Sequence, residues 1–386
     1  MNIFKMKAFS LLSACILTLH LVILAAPVKG QQITTPAADQ QETFANKIFQ
    51  ELIDEKSHVG MVVGIIDGKQ RKVFTYGKTG ERGSQRLDGN SVFEIGSVNK
   101  PFTGILLAEM VERGEVSFSD PIKLYLPATV KVPKYKEKEI TLLDLATQSS
   151  GLPRMPTNFA PKDEANPYAD YTVQQLYEFL SGYQLPREIG SSYEYSNLGL
   201  GLLGHILAQK AGTDYENLIA TRVLQPLQMR NTGIKLTKEM RAQLVSGHDQ
   251  KGNPARNWDV PTLAGAGALR STANDLLKFL AANMGQNQMP LLSPMRSSYL
   301  PRFRNEVFPV SYVGLGWQIR NREGTEIVWH TGATGGYSAF VGFSKKHNLG
   351  VVALSNTSDS GKITGAGMSL LVSLLLRSEK LSKSEK

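Results

Sequence analysis

The chain has 386 residues, 41% hydrophobic and 20% charged, with a formal net charge of +9. It is long enough for one large domain or two intimate ones around a sizeable core, and too apolar for a disordered protein. Its single cysteine, Cys15, excludes a disulfide framework and leaves no thiol for catalysis further along the chain.

Lys5 and Lys7 precede an apolar run from Ala8 to Ala26, and Val28-Lys29-Gly30 offers small residues at the spacing signal peptidase prefers. Residues 1–30 are therefore predicted to be a signal peptide, the mature chain starting near Gln31 and residing in the periplasm or outside the cell. Two alternatives compete with cleavage. Leu12-Ser-Ala-Cys15 matches a lipoprotein box, although apolar residues continue beyond it, and the run could stay as an anchor, which Ser10, Ser13, Thr18 and His20 weaken. The mature chain remains basic without its leader. Its basic stretch Lys131–Lys138 is interleaved with Pro133 and Glu137, which predicts a solvated loop and no nucleic-acid partner.

Phe44, Ile48 and Leu52 form a helical stripe, and Met61–Ile66 and Val73–Tyr76 flank Asp67-Gly68 as a hairpin. A helix must begin near Ser97, because Pro101 is tolerated only in a first turn. Its apolar residues Phe102, Ile105, Leu106 and Met110 recur at helical spacing until Arg113-Gly114. Ser97 and Lys100, three apart, share one face of the opening turn. The positive end of the helix and burial both push a lysine there toward the neutral amine, which can activate a serine as nucleophile. The plainer reading is a serine cap beside a solvated lysine.

Residues from about 100 to 300 are helix-rich with long loops. Met155–Asp170, with three prolines, is either a surface loop or part of a cleft wall. Tyr193, Tyr195 and Asn197 follow a polar turn and precede the helical run Leu198–Gln209, so Tyr195 and Asn197 are placed on a loop entering a helix. A phenol near a lysine can serve as general acid or base, and an Asn amide can orient the lysine and a substrate amide. Gly199-Leu-Gly-Leu-Leu-Gly204 matches the dinucleotide fingerprint, but no strand precedes it, so easing of helix packing explains it better. His205 reads as structural or surface, and the six histidines lack metal-ligand spacing, so no metal and no cofactor are expected.

The third chemical stretch is Ile327-Val-Trp-His330-Thr331-Gly332-Ala333-Thr-Gly-Gly336. A strand running into small residues lets a backbone approach a ligand, pair with an extended acyl-amide and offer an N–H to an oxyanion. Further strand patterns follow at Tyr337–Phe343 and Val351–Leu354, then a helical run through Leu370, Leu371, Leu374 and Leu375. The last ten residues, 377–386, are predicted to be a disordered tail.

Ser97-Val-Asn-Lys100, Tyr195-Ser-Asn197 and His330-Thr-Gly332 together resemble the penicillin-recognising serine hydrolases, in particular class C β-lactamases and the related serine D-alanyl-D-alanine carboxypeptidases and esterases. Ile140–Pro153, Leu224–Met229 and Gly265–Asp275 look like landmarks in family order, so the likeness spans roughly Phe44 to Leu376. It implies an α/β (α+β) fold of the β-lactamase/transpeptidase type: an antiparallel sheet flanked by helices, with a mostly helical insertion. One domain would cover 31–376, the α/β layer coming from 42–95 and 310–376 and the helical part from 97–300, with the site at their junction. By resemblance Ser97 is the nucleophile, Lys100 and Tyr195 are the proton-transfer pair, and Asn197, His330, Thr331, Gly332 and Ala333 bind substrate. The Ser97 and Ala333 N–H groups would form the oxyanion hole.

The third motif departs from the Lys-Thr-Gly usual in class C enzymes. A histidine titrates near 6.5 when unperturbed, so it cannot be the constant cation a lysine is, although its protonated form would suit a substrate carboxylate. The expected function is β-lactam hydrolysis by a monomer, ahead of D-Ala-D-Ala carboxypeptidase and then small-ester esterase activity. A low-turnover penicillin-binding or sensing protein is the alternative from outside the enzymes.

Overall fold

The structure, a computed structural model, describes residues 37–80, 86–286, 290–306 and 311–384. The expected leader and its cleavage site lie outside the described residues.

Eight antiparallel strands form the main sheet: β1 (Gly60–Asp67), β2 (Gln70–Gly77), β3 (Phe303–Asn305), β4 (Ser311–Val313), β5 (Gln318–Arg322), β6 (Thr325–Ala333), β7 (Ser338–Ser344) and β8 (Leu349–Ser355). Their order across the sheet is β2-β1-β8-β7-β6-β5-β4-β3. The first and last strands in chain order are therefore neighbours, second and third from one edge, where Met61 of β1 pairs with Ser355 of β8. The hairpin read from sequence is β1–β2, closed at Asp67 and Gln70. Strands β3 to β5 carry no alternation strong enough to mark them in advance; they are fixed by successive pairing, β5 on β6, β4 on β5 and β3 on β4.

Side-chain alternation splits the core into two layers. Met61, Val63 and Ile65 of β1, with Val351 and Ala353 of β8, pack with Phe49 of helix α1 (Ala37–Asp54) and Leu370, Leu371 and Leu374 of the terminal helix. Val62 and Ile66, with Val341, Val352 and Leu354, face the larger core that holds helix α2 (Asn99–Glu112) and helix α4 (Ala273–Asn283). Because both faces are covered, β7 and β8 are buried at every position and read as unbroken apolar runs.

Helix α2 is buried from Asn99 to Met110 and ends at the Arg113-Gly114 stop, where Gly114 takes a φ of 71°. Helix α3 (Asn197–Ala211) lies against the 263–267 segment. A Cβ on Gly201 would stand 2.7 Å from Leu263 Cβ, and one on Gly204 would stand 2.8 Å from Gly265 Cα, so the glycine spacing of 199–204 serves helix packing. His205 is structural, its Nε2 2.7 Å from the Tyr177 hydroxyl.

The tail expectation is corrected over 377–384, which continue helix α5 (Ser360–Ser384). Tertiary anchors hold the extra turns: Arg377 pairs with Asp67 across the sheet, and Ser378 Oγ lies 3.2 Å from His347 Nδ1.

Two glycines show how tightly the sheet is joined to the helical part. At Gly332 an added Cβ would lie 2.1 Å from Ile95 O and 2.7 Å from Ser97 N. Gly332→Ala must therefore push β6 away from the start of α2, and a loss of about 1–3 kcal/mol is expected in urea unfolding. Gly365 of α5 has open space around it, so Gly365→Ala should instead raise stability by about 0.5–1 kcal/mol. An unaffected Gly332→Ala midpoint would refute this account of the contact.

Candidate active site

A 3₁₀ turn, Gly96–Val98, leads directly into α2 and carries Ser97. Gly96 makes the turn possible: its φ is 47°, and a Cβ there would sit 2.6 Å from Ala333 O. The end of β6 thus lies backbone to backbone against the serine. β5 pairs with β6 only as far as Trp329, so residues 330–333 keep one edge unpaired by β5, beside the cleft.

One turn into the helix, Lys100 is completely buried. Its Nζ lies 2.8 Å from Ser97 Oγ, 2.9 Å from Asn197 Oδ1 and 2.9 Å from Ala266 O. Burial, reinforced by the nearby Arg154 charge, holds this amine well below the ordinary lysine range. A neutral amine has two N–H groups and one lone pair. With Asn197 Oδ1 and Ala266 O able only to accept, both N–H groups are taken and the lone pair is left for the Ser97 hydroxyl proton.

Asn197 opens α3, but the cap is its neighbour Ser196, whose Oγ accepts from Gly199 N at 2.8 Å and donates to Pro153 O at 2.7 Å. Ser196 N in turn donates to Gln148 Oε1 at 2.8 Å, so the Tyr195-Ser-Asn197 loop is fixed from below. Asn197 Nδ2 donates to the Tyr168 hydroxyl at 3.2 Å, which puts the 155–170 segment on the cleft wall. Tyr195 lines the cleft with Ser97, and its ring centre lies 4.9 Å from Lys100 Nζ and 5.1 Å from Arg154 Cζ. Burial raises the phenol above its usual range, so it stays protonated at neutral pH.

His330 corrects the sequence expectation of an imidazole that titrates near neutrality. The ring is buried, and desolvation, with Lys100 adding to it, pushes its pKa down to about 3. Nδ1 donates to Thr331 O at 2.6 Å, which assigns the neutral tautomer, and Nε2 has no partner. Thr331 Oγ1 donates to Ala339 O at 2.9 Å and lies 2.6 Å from Thr364 Oγ1, tying β6 to β7 and α5.

Apart from the fully buried Lys100, the residues singled out in the sequence line a cleft of about 830 Å³ between the sheet edge and the helical part, to which Tyr168, Trp258 and Arg154 also contribute. All eight residues singled out in the sequence meet here. The Ala266 carbonyl, Arg154, Tyr168 and Trp258 were not foreseen as site groups; a backbone carbonyl leaves no side-chain signature, and the other three stand on loops whose course only tertiary packing sets. No three histidine, cysteine or acidic side chains cluster as a metal site among the described residues.

The Beta-lactamase family's sequence profile matches residues 45–367. The chain is 29% identical to the D-alanyl-D-alanine-carboxypeptidase/endopeptidase AmpH of Escherichia coli K12, over 89% of this chain and 90% of that one. It is 28% identical to a beta-lactamase of the same strain, covering 84% and 91% of the two chains. A class C beta-lactamase structure superposes with a TM-score of 0.76 at 22% identity, over 87% of this chain and 96% of that one. A beta-lactamase/D-alanine carboxypeptidase from Yersinia pestis gives 0.76 at 24%, over 88% and 99%. With the match running through nearly all of the sheet and the whole cleft, the chain belongs to the Beta-lactamase family.

Proposed function

We propose that the protein is an exported serine acyl hydrolase that works through an acyl-enzyme on Ser97, with β-lactam hydrolysis of the class C type as its reaction. The observation that carries this reading is the buried Lys100 amine, with acceptors on two sides and the Ser97 hydroxyl on the third.

Lys100 takes the Ser97 proton as Oγ attacks the acyl carbon, and the new ammonium is satisfied by Asn197 Oδ1 and Ala266 O. Carbonyl π electrons move to oxygen, and the Ser97 and Ala333 N–H groups, brought together by the Gly96 and Gly332 contacts, stabilise that charge. Collapse of the adduct breaks the C–N bond. Tyr195, kept protonated by burial, gives its proton to the leaving nitrogen, and the proton held by Lys100 restores the phenol. Water then repeats the sequence on the ester. Processing at the signal peptide would deliver the enzyme as a monomer to the periplasm or the exterior.

A second reading, D-Ala-D-Ala carboxypeptidase activity, draws on the edge of 330–333 that β5 leaves unpaired, which suits an extended peptide, and on the relative named as a carboxypeptidase/endopeptidase.

Incubation with benzylpenicillin should add its full mass to the peptide containing Ser97. In Ser97→Ala the adduct should vanish and turnover should fall by about three to six decades; an adduct of undiminished yield would end the assignment. Wild type that acylates and never releases product would instead be the low-turnover binder.

Lys100→Ala and Tyr195→Phe should each cost about two to four decades in kcat/KM, and the double variant should cost far less than their product. A simple product of losses would make them independent structural residues.

The pH profile follows from the two shifted groups. Catalysis needs the neutral Lys100 amine, so kcat/KM should rise with pH through that lowered value. His330, neutral above about 3, should add no limb between about pH 5.5 and 8. A limb in that window that disappears in His330→Asn would show that the imidazole titrates after all.

A further inference from the structure

Resting on the reading of Ser97 as an acyl-transfer nucleophile, we propose that Arg154 is the specificity-determining cation of the cleft, and that it selects substrates bearing a carboxylate beside the scissile amide. The third motif cannot supply that cation, because His330 is buried with Nδ1 turned to Thr331 O. Lys100 cannot supply it either, its Nζ being enclosed by Ser97, Asn197 and Ala266. Among the described residues, Arg154 is the one arginine or lysine that lines the cleft.

The side chain is both available and held. Glu194, the carboxylate on the cleft wall, is engaged by Arg187 at 3.0 Å, and among the described residues no carboxylate comes within ion-pairing distance of Arg154. The main chain of Arg154 is pinned to the start of α3, its carbonyl accepting from Asn197 N at 3.0 Å and Leu198 N at 3.2 Å. Its guanidinium rests 5.1 Å from the centre of the Tyr195 ring, a cation–π contact that fixes the fork without using its N–H groups. The same cleft wall brings Arg154 together with Ser97, Tyr168, Tyr193 and Tyr195. A planar fork with free N–H groups matches a carboxylate in two parallel hydrogen bonds, and its exposure keeps the desolvation cost small. The carboxylate could belong to a bicyclic β-lactam or to the C-terminus of a D-Ala-D-Ala peptide, each carrying it on the carbon attached to the scissile amide nitrogen.

Two matched pairs separate these sources: benzylpenicillin against its methyl ester, and an acetylated D-Ala-D-Ala peptide against its C-terminal amide. In wild type, kcat/KM should favour the acid of at least one pair, and Arg154→Met should lower that acid-to-neutral ratio by about 10- to 100-fold, mainly through KM. Arg154→Lys should restore part of the ratio. The ratio cancels any general damage to Tyr195 or Lys100, and thermal unfolding checks that the variants fold. Calorimetric binding of the same pairs to Ser97→Ala, with and without Arg154→Met, reads the preference even if no compound is turned over. A wild type that hydrolyses none of the four while Ser97→Ala still prefers the acid would defeat the hydrolase reading and leave the cation assignment standing. Equal loss on acid and neutral partners, no loss, or no acid preference in the binding experiment would overturn the proposal.

Discussion

The chemistry proposed for this molecule depends on one buried amine. Lys100 is removed from water with three uncharged oxygens around it and no carboxylate pair, an arrangement that a permanent ammonium would tolerate poorly. The three partners come from three separate pieces of chain: the turn before α2, the start of α3 and the 264–267 segment. The folded state therefore carries the cost of desolvating a lysine in exchange for an amine already placed 2.8 Å from Ser97 Oγ. That cost is bearable because the amine's remaining donors are fully satisfied once it is neutral.

The precision of this arrangement comes from close backbone contact more than from large side chains. β6 reaches the serine turn through Gly332 and Gly96, α3 reaches the 263–267 segment through Gly201 and Gly204, and α2 is crossed by the 314–317 segment, where a Cβ on Gly104 would lie 1.9 Å from Leu315 O. The first and third contacts bear on the stretch that carries Ser97 and Lys100, and the second holds α3, which carries Asn197, to the segment that carries the Ala266 carbonyl. The apolar layers on both faces of the sheet then hold β6 in register, so the edge left open at 330–333 is rigid.

The electrostatics of the cleft follow from the same packing. A histidine in the third motif is silent here, because β7 and the helical part exclude the water that its charged form would need. Positive charge instead sits on an exposed arginine laid over Tyr195, where it also helps to depress Lys100. A cation on the opposite wall alters both what the site can hold and how its base is tuned.

Much of the site was legible in one dimension because its chemistry is local. Pro101 forces a helix start three residues after Ser97-adjacent turn geometry begins, and a Ser and a Lys three apart must then share a face. Tyr195 and Asn197 stand on a helix entry, and β6 announces itself by an apolar run that dissolves into glycines. The sheet's central strands were equally plain, since two-sided burial makes their runs continuous. The short strands β3 to β5 were not, because strand pairing and not side-chain pattern creates them, and the last turns of α5 were missed because Arg377 finds Asp67 only across the folded sheet. Sequence by itself determined which side chains stand as candidates for the chemistry and the order in which they occur. Tertiary structure decided the lowered basicity of Lys100 and His330, the engagement of the Ala266 carbonyl and the placing of Arg154, because burial and long-range contact, which no local pattern records, set each of them.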